Sequence, residues 1–317
     1  MSHGWDTALD AMTDLQRSFQ TDEGQKFLAS FAVSHTTQVW NKERGEYDVR
    51  EMDDALHEYA QSLITGTMTT VTSGDPVWVS EEVVDLIEVA EQTFRPEATF
   101  VDDPFVPGAF CLLERPMVHV DARGKRMAFR ALSWGAANSP DGKELGLLVA
   151  MWAHADDEDD YFREFAETNG GRLTIGGSEL SLLHMGLIPW GSERVLQEET
   201  QADLVRTLQV LWRLAKQEIA LPRQERASRA SWRRASDWRS IKEVTVMTLR
   251  RSRPKHSEGD GEGVEWSHRW LVRGHWRNQP YKIDGRMVHR QIWIAPFVKG
   301  PEDRPFVPKQ RAIEFTR

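Results

Sequence analysis

The stretch "AFCLLERPMVHVDARGKRMAFRALSW" (109–134), followed after the loop "GAANSPDGK" (135–143) by "ELGLLVAMWAH" (144–154), decides the fold. Its short β-prone runs are separated by Pro116 and by the turn-like "DARGK", and the last run is continuously apolar. Such a pattern predicts an antiparallel meander of three or four strands over roughly 109–154.

Upstream of the meander the periodicity changes. Leu9, Met12, Leu15 and Phe19 recur at helix spacing, and "MDDALHEYAQSLI" (52–64) follows with acidic residues in its opening turn. A further helix is expected from Ser80, an N-cap followed by Glu81 and Glu82, with Val83, Ile87, Ala90 and Phe94 on its apolar face and Arg95-Pro96 at its end. Downstream comes the acidic "ADDEDDYFREFAE" (155–167), and the Gly-rich "TNGGRLTIGGSELSLLHMGLIPWG" (168–191) after it reads as irregular. A long helix begins at Thr200 and carries Leu204, Leu208, Leu211, Trp212, Ala215 and Ile219 on one stripe before Pro222.

Residues 223–240, "RQERASRASWRRASDWRS", contain six arginines and two tryptophans. They read as a basic linker. Beyond them, "IKEVTVMTLRR" (241–251), "HRWLVRGHWRNQPY" (268–281) and "HRQIWIAPFVKGPED" (289–303) read as strands. The expected fold class is therefore α+β. An acidic α+β body spans 1–222 (helices to about 95, meander over about 109–154, long helix over about 200–220). The linker over 223–240 and a basic β-rich C-terminal domain over 241–317 complete the chain.

Charge follows the same division. Residues 1–222 hold 18 Lys+Arg against 38 Asp+Glu, and residues 223–317 hold 22 against 11. Asymmetry of this kind marks either a basic module for phosphate or an acidic partner, or two parts that attract each other within one molecule. No run has the length of a membrane span and the first thirty residues lack a signal-peptide pattern, so a cytoplasmic protein is expected. Cys111 is the only cysteine, which excludes an internal disulfide framework and a thiolate-rich zinc site. Phosphate-binding loop, dinucleotide fingerprint, Gly-x-Ser-x-Gly elbow and His-Glu-x-x-His helix are all missing, so no cofactor and no metal are expected.

The candidate chemistry lies in the basic part. The run Asp156–Asp160 offers oxygen ligands to a cation or, more simply, a solvated loop that favours the start of a short helix. His154 and His184 stand in apolar surroundings and read as rim or core histidines. In the linker, Arg233 and Arg234 beside tryptophan suit phosphate contact with base stacking, or docking onto the acidic body. Period two along 268–277 puts His268, Trp270, Val272, Gly274 and Trp276 on one side and Arg269, Leu271, Arg273, His275 and Arg277 on the other. In the second segment Arg290, Ile292 and Ile294 lie opposite His289, Gln291 and Trp293. Two readings stay open: a recognition surface of Arg269, Arg273, His275, Arg277, Arg290 and Lys299 supported by Trp270, Trp276 and Trp293, or the framework of a small β-domain. A catalytic version would use His275, His289 and Arg273.

The order of strand "VTVMTLRR", polar loop, "SHRWLVRGHWRNQPY" and "HRQIWIAPFVKGPED" resembles the C-terminal module of a phage and mobile-element family related to the type V-A anti-CRISPR protein. The residues that carry the resemblance are Arg273, Gly274, His275, Trp276, Trp293 and Phe297-Val298. It implies a regulator in the host cell that recognises a polypeptide segment, a nascent chain on the ribosome, and suppresses the corresponding gene through its messenger RNA. RNA is then a further partner, and no membrane is involved. Two alternatives stand beside it: a metal-independent RNA-binding protein or endoribonuclease, and a phage structural or interaction protein.

Overall fold

A computed structural model describes residues 4–41, 46–95, 104–120, 125–138, 144–154, 178–189, 199–217, 222–239, 242–249, 267–283 and 285–301, with a few short pieces between them. At its centre is a seven-stranded mixed sheet. The strands are β3 (Asp75–Val79), β4 (Ala109–Val120), β5 (Arg126–Asn138), β6 (Glu144–His154), β7 (Leu180–Pro189), β8 (Arg223–Arg226) and β9 (Glu243–Met247), in the spatial order β7-β6-β5-β4-β3-β9-β8. Strands β4 to β6 form the antiparallel meander expected over 109–154, and β7 extends it on the far side of β6. Strand β3 runs parallel to both β4 and β9. A parallel pair needs a crossover, and α4 (Glu81–Glu91) supplies it between β3 and β4.

Helices cover both faces of this sheet, which is why its strands are apolar on both sides. On one face, α4 and α5 (Glu199–Ala215) pack with Val77, Val79, Cys111, Leu132, Trp134, Val149 and Met247. On the other, α1 (Asp6–Phe19), α2 (Asp22–Thr37), α3 (Asp54–Ser73) and α6 (Arg229–Ala235) lie over Trp78, Phe110, Leu112, Leu148, Trp152, Val244 and Val246. The predicted stripe of α5 is buried from Leu204 to Ala215, with Ile219 packed at its edge. Ser80 stands at the start of α4, but its hydroxyl accepts nothing there. Its carbonyl accepts from Val83 and Val84 while its N–H donates to Met247 of β9. A small hairpin of β1 (Gln38–Asn41) and β2 (Glu46–Val49) lies between the first helices.

Three segments depart from the sequence reading. Residues 180–189, read as irregular, form the edge strand β7 with most side chains buried; flanking glycines masked the short apolar run. Strand β9, expected in a C-terminal domain, is an inner strand of the central sheet. The "linker" is strand β8 followed by α6. Two serines and an arginine of it meet α1: Asp6 accepts from the N–H of Ser228 (2.8 Å), Asp10 from the Ser231 hydroxyl (3.1 Å) and Asp14 from Arg234 (2.6 Å). Arg239 is buried and donates to the Gly74 carbonyl (2.8 Å), with desolvation drawing its pKa down. No described helix is long and apolar enough to cross a membrane.

Candidate functional site

The C-terminal strands form two small sheets outside the central one. Strand β10 (Trp270–Val272) pairs with β13 (Phe297–Lys299), and β11 (His275–Ile283) pairs with β12 (Arg286–Ile294) as a nine-pair ribbon. Just before β12, Gly285 takes φ +80°. Only glycine and a few polar residues adopt that conformation without strain.

Antiparallel pairing sorts the ribbon into two faces. One face carries His275 and Ile294, Arg277 and Ile292, Gln279 and Arg290, Tyr281 and Val288, and ends with Arg286. The other carries Trp276 and Trp293, Asn278 and Gln291, Pro280 and His289, Lys282 and Met287. The base of this second face is bolted to the body. The Trp276 indole N–H donates to the Ala90 carbonyl at the end of α4 (2.9 Å), and its ring meets Phe94 at 5.1 Å and Trp293 at 5.4 Å. Trp293 is only 4% exposed. From α5, Arg213 donates to Gln291 Oε1 (2.7 Å), and the Trp293 N–H donates to Gln217 Oε1 (3.1 Å) just beyond it. Gly274 lets the two tryptophans close, because a Cβ there would stand 2.4 Å from the Trp293 ring.

Away from this base the ribbon is bare. Arg277, Tyr281, Lys282, Arg286, Met287, Val288, His289 and Arg290 are all exposed. Arg290 lies 6.0 Å over the Tyr281 ring, and Arg277 donates to Gln279. None of Arg273, Arg277, Lys282, Arg286 and Arg290 forms an ion pair with another described residue.

The predicted residues divide accordingly. Arg277 and Arg290 come together on one exposed face, with Arg273 and His275 exposed at its base. His275 Nδ1 lies 3.1 Å from the Arg273 carbonyl. Arg269 instead holds backbone, its guanidinium donating to the Arg304 carbonyl (2.9 Å) and its N–H to that of Pro305 (2.8 Å). Lys299 is over the Trp270 ring at 6.0 Å. His275 and His289 are not brought together. They point to opposite faces, and five strand positions separate them, about 17 Å at the usual rise. Arg234 is occupied by Asp10 and Asp14, while Arg233 is exposed on α6.

The acidic run is partly structural. Asp157 pairs with Arg130, and Asp160 accepts from the N–H of Arg126 at the start of β5 (2.8 Å). Glu158 and Asp159 lie outside the described residues, among which no group of carboxylates, histidines or cysteine is arranged to hold a metal. His154 stands 3.3 Å from Glu179 at the rim, and His184 is in β7.

Several residues of the site escaped the sequence reading. Lys282 and Arg286 sit near the ribbon tip, and the Asp-Gly pair between two alternating runs was the signal for that hairpin. Asn278 and Gln291 face each other across the strands, and Thr93 and Arg95 approach them from the end of α4. That last juxtaposition joins distant parts of the chain, so no local signal announces it.

No protein-family model matches the chain, and no curated protein matches it. Among solved structures there is a distant likeness to the crystal structure of AcrVA2, at 12% sequence identity and a TM-score of 0.36, covering 92% of this chain and 93% of that one.

Proposed function

We propose that this protein is a regulator that binds single-stranded RNA through the β11–β12 ribbon. One observation carries the reading: the ribbon projects Arg277, Lys282, Arg286 and Arg290 with an exposed tyrosine, and none of these cations is neutralised by a described neighbour. Arginine on a projecting strand pair suits phosphate contact, and an aromatic ring between arginines suits an unpaired base. Each phosphate contact releases counterions, so affinity for single-stranded RNA should fall with salt. Replacing Arg277, Arg286 and Arg290 together by alanine should lower the slope of log affinity against log salt by about 2. An unchanged slope would place the RNA elsewhere or nowhere.

A second reading is favoured by the pair of strands beside the ribbon. Leu271 and Val298 stand directly opposite each other in the ladder and are 51% and 52% exposed, an apolar pair on one face of this two-stranded sheet. Such a surface suits a polypeptide segment. In the combined reading, a phage or mobile-element regulator captures a nascent polypeptide there and lowers the corresponding message through the ribbon. A peptide array against the wild-type chain and a Leu271→Asp, Val298→Asp variant, together with target transcript levels, tests this. Peptide capture with an unchanged transcript would reduce it to a binding module.

A further inference from the structure

Where the ribbon meets the body, a cleft of about 290 Å³ opens between the end of α4 and the inner ribbon face, lined by Thr93, Arg95, Trp276, Asn278 and Gln291. Its size is at the lower limit of small-ligand pockets, too small for a helix or a duplex and adequate for one flat ring. We propose that this cleft holds a single unstacked base of the RNA strand that runs along the ribbon; the proposal rests on the RNA reading above.

The hydrogen-bonding groups set the chemistry. Gln291 Oε1 is already taken by Arg213 at 2.7 Å, so the free end of that carboxamide is its NH₂, a donor. Asn278 lies directly opposite in the ladder and offers both a donor and an acceptor, neither engaged by another described side chain. Donors and an acceptor side by side complement the edge of a nucleobase, which presents both kinds of group. A lone phosphate or carboxylate would use only the donors and set its oxygen against Asn278 Oδ1.

The remaining groups fit the same occupant. Trp276 is held on its inner side by Phe94 and Trp293 and at its N–H by Ala90, so its uncovered surface is a rigid stacking platform. Arg95 is exposed at the lip, placed for the adjoining phosphate. Along the inner ribbon face the order from tip to base is Lys282, His289, then Asn278 with Gln291, then Trp276. A strand that rounds the tip from the face of Arg277, Tyr281 and Arg290 onto this one passes Lys282 and His289 and arrives at the cleft.

The full chain, titrated with eight-nucleotide single-stranded RNAs, tests the proposal. One set is intact and the other carries a single abasic position moved along the strand. One abasic register should weaken binding about tenfold. Asn278→Ala, an exposed substitution, should weaken the intact RNA about tenfold and the RNA abasic at that register less than about twofold, because the base it would read is missing. Arg95→Ala should weaken both alike. Equal losses from Asn278→Ala on both RNAs would overturn the proposal. So would RNA binding with a normal salt slope in which no abasic register matters, and this result would leave the ribbon reading standing. A wild-type chain that binds none of these RNAs removes both. Side-chain amide resonances of Asn278 and Gln291 that shift with a mixture of unstructured peptides and not with RNA would assign the cleft to a polypeptide instead.

Discussion

Two stretches of this chain with four arginines each have opposite fates. In 228–239, Arg234 meets Asp10 and Asp14 of α1, Ser228 and Ser231 meet Asp6 and Asp10, and Arg239 is buried against Gly74. In 273–290, Arg273, Arg277, Arg286 and Arg290 face solvent. What separates them is the element opposite. Helix α1 presents Asp6, Asp10 and Asp14 to Ser228, Ser231 and Arg234. Among the described residues no element faces the ribbon beyond its base. Charge thus serves cohesion in one place and presentation in the other, and only tertiary pairing distinguishes the two.

The comparison breaks most severely at the ribbon's mount. Trp276→Ala removes a ring that fills the joint between Phe94 and Trp293, and should cost the docked ribbon about 3–5 kcal/mol. Native-state hydrogen exchange should show 270–299 opening while β4 to β6 stay protected. A loss under about 1 kcal/mol would mean the ribbon holds without its tryptophan. Gly274→Ala is the subtler attack on the same joint. Its methyl would meet the Trp293 ring at 2.4 Å, and overpacking of this kind costs roughly 1–3 kcal/mol. Thermal denaturation of the variant would measure it, and an unchanged midpoint would show that the indole can yield.

The difference between the stretches is sharpened by a matched pair of substitutions. Arg234→Ala removes ion pairs to Asp10 and Asp14 that are about two-fifths exposed, so screening holds the loss to about 1 kcal/mol or less. Arg286→Ala should leave stability within about 0.5 kcal/mol and act only on RNA affinity. Urea midpoints and RNA titrations on both variants form a two-by-two comparison. If Arg234→Ala lowers RNA affinity more than Arg286→Ala does, the roles are reversed.

The meander was legible because β4 to β6 are long, apolar and separated by recognisable turns, and α5 because its stripe repeats at helix spacing over four turns. Strand β8 was not. As a four-residue edge strand it reads Arg-Gln-Glu-Arg, which is the polar sequence that an exposed edge tolerates and also the sequence of a linker. Strand β9 was recognised as a strand but assigned to the wrong sheet, since nothing local states that its partner β3 lies more than 160 residues upstream. For the site, period two separated Trp276 from Arg277 correctly. It failed for Arg269, whose partner is the carbonyl of Arg304, and for the pair His275 and His289, whose distance depends on register alone.

The smallest expected effect concerns Asp10, where the cohesive contact meets its own cost. Burial raises this carboxyl's pKa, with Arg234 and the Ser231 hydroxyl opposing the shift. Arg234 Nη1 stands 3.1 Å from Asp10 Oδ1 yet outside hydrogen-bond geometry, so that oxygen is desolvated without a donor. A folded-state pKa above the unfolded value means the native chain binds the extra proton first. Stability from this group is therefore fully present below the ordinary carboxylate pKa and is lost as pH rises through the raised one. Asp10→Asn keeps an acceptor for Ser231 and removes the titration. Wild type should consequently gain on the variant as pH is lowered from neutrality through the carboxylate range, by urea unfolding at matched ionic strength. If the gap widens toward neutral pH instead, Arg234 outweighs desolvation, and the α1–α6 contact is held by charge more strongly than its geometry implies.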